Sequence, residues 1–214
     1  MRTYKYYLEP IPHFVIECVF PQQVADKMFS EVLSNESNFE QSVVGNCETD
    51  KELRTNDVLY LDNVYMGKRD TSVLLGAING MFHDDEFKQL LHSSVYPLNE
   101  FGFTNTHESQ VSRYGNDGQH YGWHVDRGIS YKRHITAVYY FNDKRKWTGG
   151  DIEFTDSPIY HGNTLHDSKI KSIKPKPNSL IIFSSSVPHR VTKTKSPYKF
   201  DEGRFSINCW IGMK

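Results

Sequence analysis

The sequence lacks the features of disulfide-rich, membrane-spanning and strongly basic nucleic-acid-binding proteins. Its three cysteines, Cys18, Cys47 and Cys209, include no CxxC pair, which argues against a zinc cluster or disulfide framework and favours a reducing compartment. No window is apolar enough to cross a membrane, and residues 1–14 lack the apolar run of a signal peptide. The formal net charge of -1 provides no overall basic field for nucleic acid or anionic lipid. We therefore expect a cytoplasmic protein that has no membrane partner.

The composition that is present indicates a folded globular domain. Hydrophobic residues make up 37% of the 214 residues, and the chain holds 13 Tyr and 13 Phe, which is too aromatic for a disordered chain. Without a repeat, a low-complexity tract or a Gly/Ser linker, residues 1–214 are predicted to form a single domain. The pattern changes near residue 105. We expect helices and supporting strands over residues 1–104, and a β-rich core over residues 105–214.

The periodicity of apolar residues predicts helices outside a β core. In the first part, His13–Phe20 and Leu53–Leu61 resemble strands, Pro21 begins a helical pattern, and two further helices follow over Thr71–Phe82 and about Asp85–Leu91. In the second part, short β-like runs are separated by Gly, Pro, Asn and Asp: Glu108–Tyr114, His134–Phe141, Asp151–Phe154, Ile170–Ile173, Ser179–Phe183, His189–Thr192 and Arg204–Ile211. Closely spaced strands without intervening helices favour an antiparallel sandwich or barrel.

Two His-x-Asp triplets are candidates for metal chemistry. Two histidines and one carboxylate on one side of an iron ion leave coordination positions open for a co-substrate and O2. A single triplet is weak evidence, because this composition yields about as many by chance. His83-Asp84-Asp85 ends a predicted helix among charged residues and is interpreted as a solvated face. His124-Val125-Asp126 instead lies between predicted strands, after a glycine-rich stretch at 114–118.

The surroundings of the second triplet resemble a known family. From about Glu108 to Gly212 the chain is similar to iron and 2-oxoglutarate dioxygenases of the prolyl 4-hydroxylase type. The matching pieces occur in the family's order: Tyr114, Trp123-His124-Val125-Asp126, Tyr139-Tyr140-Phe141-Asn142, Gly149-Gly150-Asp151, the approach from Pro175 to Phe183, His189, and Gly203-Arg204. Each piece is common by itself, but their order and spacing together favour the resemblance.

The resemblance implies a fold, a metal site and a co-substrate. Members fold as a double-stranded β-helix (a jelly roll) with flanking helices. They would bind Fe(II) here through His124, Asp126 and His189, with no catalytic residue beyond the metal ligands. They use 2-oxoglutarate as co-substrate, and ascorbate is a candidate reductant. Asp126 argues against a halogenating relative, which needs a small residue at that position.

The last predicted strand offers a binding site for 2-oxoglutarate. One face carries only apolar residues, whereas the other carries Arg204, Ser206, Asn208 and Trp210 and is expected to line a cavity. Arg204 is the expected anchor of the distal carboxylate, because a guanidinium forms two parallel hydrogen bonds with a carboxylate. The family's usual spacing instead places Lys199 there, so Lys199 stays an alternative. By resemblance, Tyr114, Tyr140 and Asn208 are further candidates for contact with the co-substrate.

The substrate is the least determined part of the sequence analysis. The resemblance implies hydroxylation of an unactivated C–H bond with succinate and CO2 as co-products, and prolyl 4-hydroxylation of a protein or peptide is the leading hypothesis. Oxidative dealkylation of nucleic acid and small-molecule hydroxylation stay alternatives, and a non-catalytic binding module is the alternative from another class. Nucleic acid is disfavoured by the near-neutral charge and the single arginine of the last strand. Candidate substrate-pocket residues are Trp123, Arg127 and Trp210, with specificity expected from the loops Arg127–Lys132, Lys144–Thr148 and Tyr160–Asp167. The sequence does not predict the oligomeric state.

Overall fold

The computed structural model describes residues 1–44, 50–63, 68–69, 72–127, 132–141, 146–160, 162–164 and 168–213. Its helices are α1 (Gln22–Ser34), α2 (Val73–His83) and α3 (Asp85–His92), with short 3-10 turns at Glu36–Asn38, Leu98–Phe103 and Phe200–Glu202. Among the described residues, no helix combines the length and the apolarity needed to span a membrane.

The described residues also form fifteen strands. In chain order they are β1 (Thr3–Tyr7), β2 (His13–Glu17), β3 (Glu40–Gln41), β4 (Asp57–Asn63), β5 (Lys68–Arg69), β6 (Thr106–Tyr114), β7 (Tyr121–His124), β8 (Arg133–Tyr140), β9 (Thr148–Gly149), β10 (Ile152–Thr155), β11 (Ile170–Ile173), β12 (Ser179–Ser184), β13 (His189–Val191), β14 (Thr194–Lys195) and β15 (Arg204–Gly212).

The strands form a jelly roll of two facing antiparallel sheets. The major sheet has the order β1-β2-β12-β8-β15-β6-β4-β3, with β5 paired to β4. The minor sheet has the order β11-β10-β13-β7, and β9 and β14 form a separate pair. Strands that are distant in sequence are neighbours in both sheets, as expected when a jelly roll closes. The predicted fold class is therefore confirmed.

The core has two layers because β8 and β12, like β15, alternate their side chains between the two faces of the major sheet. On the outer face, Ala137, Ile182 and Ile207 pack with Met28 of α1 and Ile78 of α2. On the inner face, Val138, Tyr140, Ile181 and Phe183 pack against Ile152 and Phe154 of the minor sheet. The helices therefore cover one side of the major sheet and leave the other for the minor sheet and the cavity between them.

Helix boundaries follow local capping chemistry. Helix α1 begins at Gln22, directly after Pro21, as the sequence predicted. The Ser72 hydroxyl accepts a hydrogen bond from the Leu75 amide at 3.0 Å and caps α2. The Asp84 carboxylate, which belonged to the rejected triplet, accepts a hydrogen bond from the Phe87 amide at 3.0 Å and caps α3.

The strand predictions after residue 105 are confirmed to within one or two residues at each end. Two other expectations were wrong, and strand β1 was missed. Strand β4 begins at Asp57 and not at Leu53. His124 does not lie between strands but ends β7, a strand that its polar and glycine residues concealed. Strand β1 was not predicted, because its tyrosines and lysine give no apolar alternation; it forms by pairing with β2. The predicted division into residues 1–104 and 105–214 stays a prediction, although strands of both parts share the major sheet.

Candidate active site

Three side chains of the predicted metal site converge between the two sheets. His124 ends β7, His189 begins β13, and the two are direct partners in the antiparallel pairing of these strands. Asp126 lies in the turn after β7, where its amide and that of Arg127 both donate to the Ser185 carbonyl oxygen, at 3.0 and 2.9 Å. His124, Asp126 and His189 each offer one ligand atom, and these three atoms all lie within 4.8 Å of one another.

The backbone holds both imidazole rings in one tautomer. His124 Nδ1 lies 2.8 Å from the Gly122 carbonyl oxygen, and His189 Nδ1 lies 2.9 Å from the Val187 carbonyl oxygen. A carbonyl oxygen accepts only, so each Nδ1 carries a proton, and in the neutral ring Nε2 then keeps its lone pair. Both Nε2 atoms face Asp126, at 3.6 Å from Oδ1 for His124 and 3.4 Å from Oδ2 for His189. This is the arrangement that metal-binding histidines require.

Burial and charge keep His124 and Asp126 in the forms that bind metal. Burial, together with the neighbouring His189 ring, lowers the pKa of His124 to about 3, so its imidazole is neutral at physiological pH. Burial by itself would raise the pKa of the Asp126 carboxyl, but His189, His124 and the Thr136 hydroxyl hold it below its ordinary value. Thr136 Oγ1 donates to Asp126 Oδ2 at 2.7 Å. Metal ligands must be deprotonated, so this site is ready for a cation.

The cavity beside the three ligands is lined by the face of β15 that the sequence selected. Arg204, Ser206 and Asn208 line it, with Tyr114 and Tyr140 from the neighbouring strands β6 and β8. The opposite face of β15, with Phe205, Ile207, Cys209 and Ile211, is buried in the outer core layer. The prediction of one cavity face and one core face therefore holds for Arg204, Ser206 and Asn208, but Trp210, predicted on the same face, does not line the cavity.

Arg204 is a buried cation without an acidic partner. Its side chain is only 1% exposed, and its guanidinium carbon lies 4.8 Å from the Tyr114 ring centre and 5.1 Å from that of Tyr140. Nε donates to the Gly150 carbonyl oxygen at 2.7 Å, and the two terminal nitrogens have only 3.5 Å contacts, with the hydroxyls of Ser206 and Tyr140. No carboxylate of the described residues pairs with it. A buried, unpaired guanidinium is costly, so the cavity fits an anionic ligand.

The paired glycines make room for this arginine. Gly149 and Gly150 have φ values of 69° and 67°, a region that favours glycine. A Cβ atom on Gly150 would lie 2.5 Å from Arg204 Cδ, and one on Gly149 would lie 2.1 Å from the Lys193 carbonyl oxygen. Only glycine therefore allows this turn to approach β14 and the base of Arg204 together.

The other predicted residues lie in different surroundings. Lys199 is exposed and does not line the cavity, which favours Arg204 of the two candidates. Trp123 packs under the Arg190 guanidinium at 4.7 Å, and Trp210 under that of Arg133 at 4.1 Å. Neither tryptophan is among the residues that line the cavity, and Arg127 is exposed at the turn after Asp126. Their role in a substrate pocket stays a prediction.

Parts of the predicted specificity loops lie outside the described residues. These parts are 128–131, 144–145, 161 and 165–167, and residues 142–143 and Cys47 also lie outside. The rejected histidine, His83, is exposed, and its Nδ1 lies 2.8 Å from the Asn79 carbonyl oxygen of the preceding helical turn. It is remote in the fold from the second triplet, which confirms its interpretation as a solvated helix end.

Sequence reasoning missed three residues that support the ligands. The Tyr121 ring is stacked on His124, with the ring centres 3.5 Å apart and the planes at 10°. The Arg54 guanidinium carbon lies over the Tyr121 ring, 4.6 Å from the ring centre. Thr136 links Asp126 to the Ser185 hydroxyl, at 2.9 Å. In the sequence, Tyr121 stands three residues before His124. This spacing does not place two side chains on one face of a regular strand, so it becomes informative only when the register shift between β7 and β13 is known.

Residues 109–212 match the family model of the 2OG-Fe(II) oxygenase superfamily. The chain is also 35% identical, over 103 residues, to an uncharacterised PKHD-type hydroxylase of Synechocystis sp.. That alignment covers 46% of this chain and 34% of the relative, so the chain spans about a third of the length of this curated relative.

Solved structures resemble nearly the whole chain. A prolyl hydroxylase from Trichoplax adhaerens, in complex with a peptide fragment of the hypoxia inducible factor oxygen degradation domain, superposes with a TM-score of 0.68 at 16% identity, over 94% of this chain and 83% of that one. A prolyl-4-hydroxylase from Pseudomonas putida superposes with a TM-score of 0.66 at 18% identity, over 94% and 92% of the two chains. At these identities the likeness is evidence for the fold.

Proposed function

We propose that this chain, whose residues 109–212 match the family model of the 2OG-Fe(II) oxygenase superfamily, is an Fe(II)- and 2-oxoglutarate-dependent dioxygenase that hydroxylates an unactivated C–H bond. The observation that carries the proposal is the pairing of two features in one cavity. The ligand atoms of His124, Asp126 and His189 lie within 4.8 Å of one another. The buried Arg204 guanidinium lines the same cavity and has no carboxylate partner among the described residues.

The donor set suits Fe(II), and the positive charge of Arg204 in the cavity suits a dicarboxylate such as 2-oxoglutarate. Two imidazole Nε2 atoms and one carboxylate are the ligand set of non-haem Fe(II) oxygenases, with positions left open for other ligands. We assign the three metal ligands to His124, Asp126 and His189. A dicarboxylate such as 2-oxoglutarate would place one carboxylate against Arg204, which could donate two parallel hydrogen bonds to it. Bound together, Fe(II) and 2-oxoglutarate supply an oxidant from O2, with succinate and CO2 as co-products.

The chain's own residues position these partners. Gly122 and Val187 fix the two imidazole tautomers, and Thr136 orients the carboxylate of Asp126. Burial raises the pKa of Tyr140 to about 12, so its hydroxyl stays protonated and can donate to a carboxylate beside Arg204. We propose that Tyr114 and Asn208, which line the same cavity, complete the co-substrate's surroundings.

For the substrate, we propose a prolyl residue of a protein or peptide. The solved structures with the same fold include two prolyl hydroxylases, and one of these holds a peptide. This support comes from the fold and not from the residues around the cavity mouth. We also propose that residues 105–214 carry the chemistry and that residues 1–104 support them.

Metal titration of matched histidine variants tests the site. Anaerobic Fe(II) and 2-oxoglutarate should produce a visible charge-transfer band in the wild-type protein. His124→Ala should lose metal binding, and the band with it, because two ligands remain. His83→Ala should keep both, since His83 is exposed and its Nδ1 hydrogen-bonds with the Asn79 carbonyl oxygen of its own helix. Loss of metal binding in His83→Ala, or retention of metal binding in His124→Ala, would show that the metal has been assigned to the wrong triplet.

A product screen tests the substrate. The protein is incubated in air with Fe(II), 2-oxoglutarate and either proline-containing peptides or alkylated oligonucleotides, and products are followed by mass spectrometry. A gain of one oxygen atom on proline, with matching succinate, is the expected result. Loss of an alkyl group from the oligonucleotide would replace prolyl hydroxylation with the dealkylase alternative. Metal binding without succinate in any reaction would leave a non-catalytic binding module.

A further inference from the structure

The minor sheet ends before the major sheet does. Strand β11 is at one end of the minor sheet and β1 is at the matching end of the major sheet. In the part of the chain that the structure describes, β11 pairs only with β10 and β1 pairs only with β2. One side of β11 therefore has no strand partner among the described residues, and the inner face of β1 and β2 extends beyond the cover that the minor sheet gives.

A groove of about 230 Å³ lies at this open end, where β10 separates β11 from β13 and its His189. The strands of the major sheet supply its floor, with Tyr7 from β1, Val15 from β2 and Ile181 from β12. Lys171 and Ile173 of β11 supply its wall. Side chains two residues apart on a strand share a face, so the groove is the uncovered continuation of the inner face of the sandwich.

The groove carries an excess of positive charge. Its four lysines are Lys5, Lys171, Lys174 and Lys176, and its one acidic residue is Glu17. Lys5 and Lys176 both lie 2.8 Å from the same oxygen of Glu17, so one carboxylate serves two ammonium groups. Neither Lys171 nor Lys174 forms an ion pair with a carboxylate of the described residues, and Lys171 lies 5.5 Å from the centre of the Tyr7 ring.

A buried polar atom also lies in the groove's floor. His13 is fully buried, and its Nδ1 lies 2.8 Å from the Ile11 carbonyl oxygen, so that nitrogen carries the proton. Its Nε2 has no hydrogen-bond partner among the described residues. The Tyr7 ring is stacked over His13, with ring centres 4.9 Å apart. Unsatisfied buried acceptors are uncommon in folded proteins, and this one lies beneath an exposed tyrosine at the groove.

We propose that this groove binds an extended acidic segment of a partner protein, which adds to β11 as a fifth strand of the minor sheet. An added strand would satisfy the free backbone groups of β11 and cover the exposed inner face of β1 and β2. Acidic side chains at alternate positions of the segment would face Lys171, Lys174 and the Lys5–Lys176 pair. The apolar floor favours small aliphatic residues beside them.

Lysines also protect sheet edges from association, and this role makes a different prediction. If the lysines only protect the edge, no peptide should bind to β11. If the groove is a binding site, it should bind acidic peptides selectively, and binding should require hydrogen bonds from the peptide's backbone amides. A fluorescent peptide of alternating glutamate and valine is the probe. It contains no proline, so it does not report on the proposed active site. Its binding to the full chain is measured by fluorescence anisotropy, and β11 amide protection by hydrogen exchange.

The matched variants reverse two lysines each. Lys171→Glu/Lys174→Glu should weaken binding by about tenfold or more, because like charges then face the peptide. Lys27→Glu/Lys51→Glu, which changes the net charge equally at exposed positions elsewhere, should keep the wild-type affinity. A peptide that is N-methylated at alternate residues should fail to bind, and the unmodified peptide should protect residues 170–173 from exchange. Circular dichroism confirms that each variant is folded.

Four outcomes would overturn the proposal. They are no binding of the acidic peptide, equal weakening by both double variants, equal binding of the N-methylated peptide, and exchange protection away from β11. Dimerisation of the chain that the Lys171→Glu/Lys174→Glu variant abolishes, seen by sedimentation, would assign the groove to a second copy instead. None of these measurements depends on iron or turnover, so they are independent of the proposed dioxygenase activity.

Discussion

The Tyr121 ring lies parallel to the imidazole of His124 at a centre-to-centre distance of 3.5 Å. The contact exists because β7 and β13 pair with a register shift between His189 and Val191, which brings Tyr121 to the cavity side beside His124. Arg54 lies over the Tyr121 ring at 4.6 Å. An arginine, a tyrosine and a metal-ligand candidate therefore form one stack, and burial raises the pKa of Tyr121 to about 12, so its hydroxyl stays neutral.

Replacing Tyr121 should loosen the orientation of His124. Tyr121→Leu removes the flat surface against which the imidazole rests, so we expect metal affinity to fall by about tenfold, the lower end of the effect of residues that support metal ligands. Tyr121→Phe keeps the ring and should bind metal like the wild type. Anaerobic Co(II) titration, followed by absorbance, measures both. Equal affinity in all three proteins would mean that the Gly122 carbonyl alone orients the ring.

Arg204 should be the anchor of 2-oxoglutarate. Arg204→Met removes the guanidinium and keeps much of its volume, so the KM for 2-oxoglutarate should rise by a factor on the order of 10² or more, whereas Co(II) binding should persist. Lys199→Ala, at an exposed position, should leave KM unchanged. Succinate formation at varied 2-oxoglutarate concentration measures both. A raised KM in Lys199→Ala with a normal one in Arg204→Met would select the alternative anchor.

Gly150 should be intolerant of a side chain for a reason that Gly162 does not share. Both have positive φ, 67° and 74°, so alanine costs roughly 1 kcal/mol of backbone strain at either position. At Gly150, however, the added Cβ would lie 2.5 Å from Arg204 Cδ, whereas nothing lies within 4 Å at Gly162. Gly150→Ala should therefore raise the KM for 2-oxoglutarate, and Gly162→Ala should not. Similar kinetics in both variants would show that Arg204 moves aside freely.

His13 should make the stability of the protein sensitive to mild acid. Burial, partly offset by the Ile11 carbonyl, lowers the pKa of His13 from its ordinary 6.5. His13 therefore binds a proton more readily in the unfolded chain than in the folded protein. As a result, the free energy of unfolding does not depend on His13 protonation above about pH 6.5 and declines as the pH falls below that value. The free energy of unfolding should fall less steeply in His13→Phe, by at most about 1.4 kcal/mol per pH unit. The phenyl ring can still stack on Tyr7.

Urea unfolding between pH 7 and pH 5, followed by tryptophan fluorescence, checks the expectation for His13. The free energy of unfolding should depend on pH in the same way in the wild type and in His13→Phe only above about pH 6.5, the ordinary pKa of histidine. Parallel curves throughout would mean that His13 keeps an ordinary pKa in the folded protein, and that water reaches its Nε2.

The sequence by itself determined the chemistry of the site and most of the β core. Short apolar runs between Gly, Pro, Asn and Asp marked the strands after residue 105, because turn residues and β-alternation are local properties. The alternation of β15 was enough to assign Arg204 to the cavity and Ile207 to the core, since successive side chains on a strand point to opposite faces. The ordered motifs around His124 were enough to choose it over His83.

Only the tertiary structure decided which residues support that chemistry. Thr136 meets Asp126 because β8 lies beneath the turn after β7, and Tyr121 meets His124 because of a register shift. Strand β1 forms through its pairing with β2 and has no apolar pattern of its own. These are contacts between segments distant in sequence, and no local pattern records them. The same reason hides the open edge of β11, which is a property of how far one sheet extends over the other.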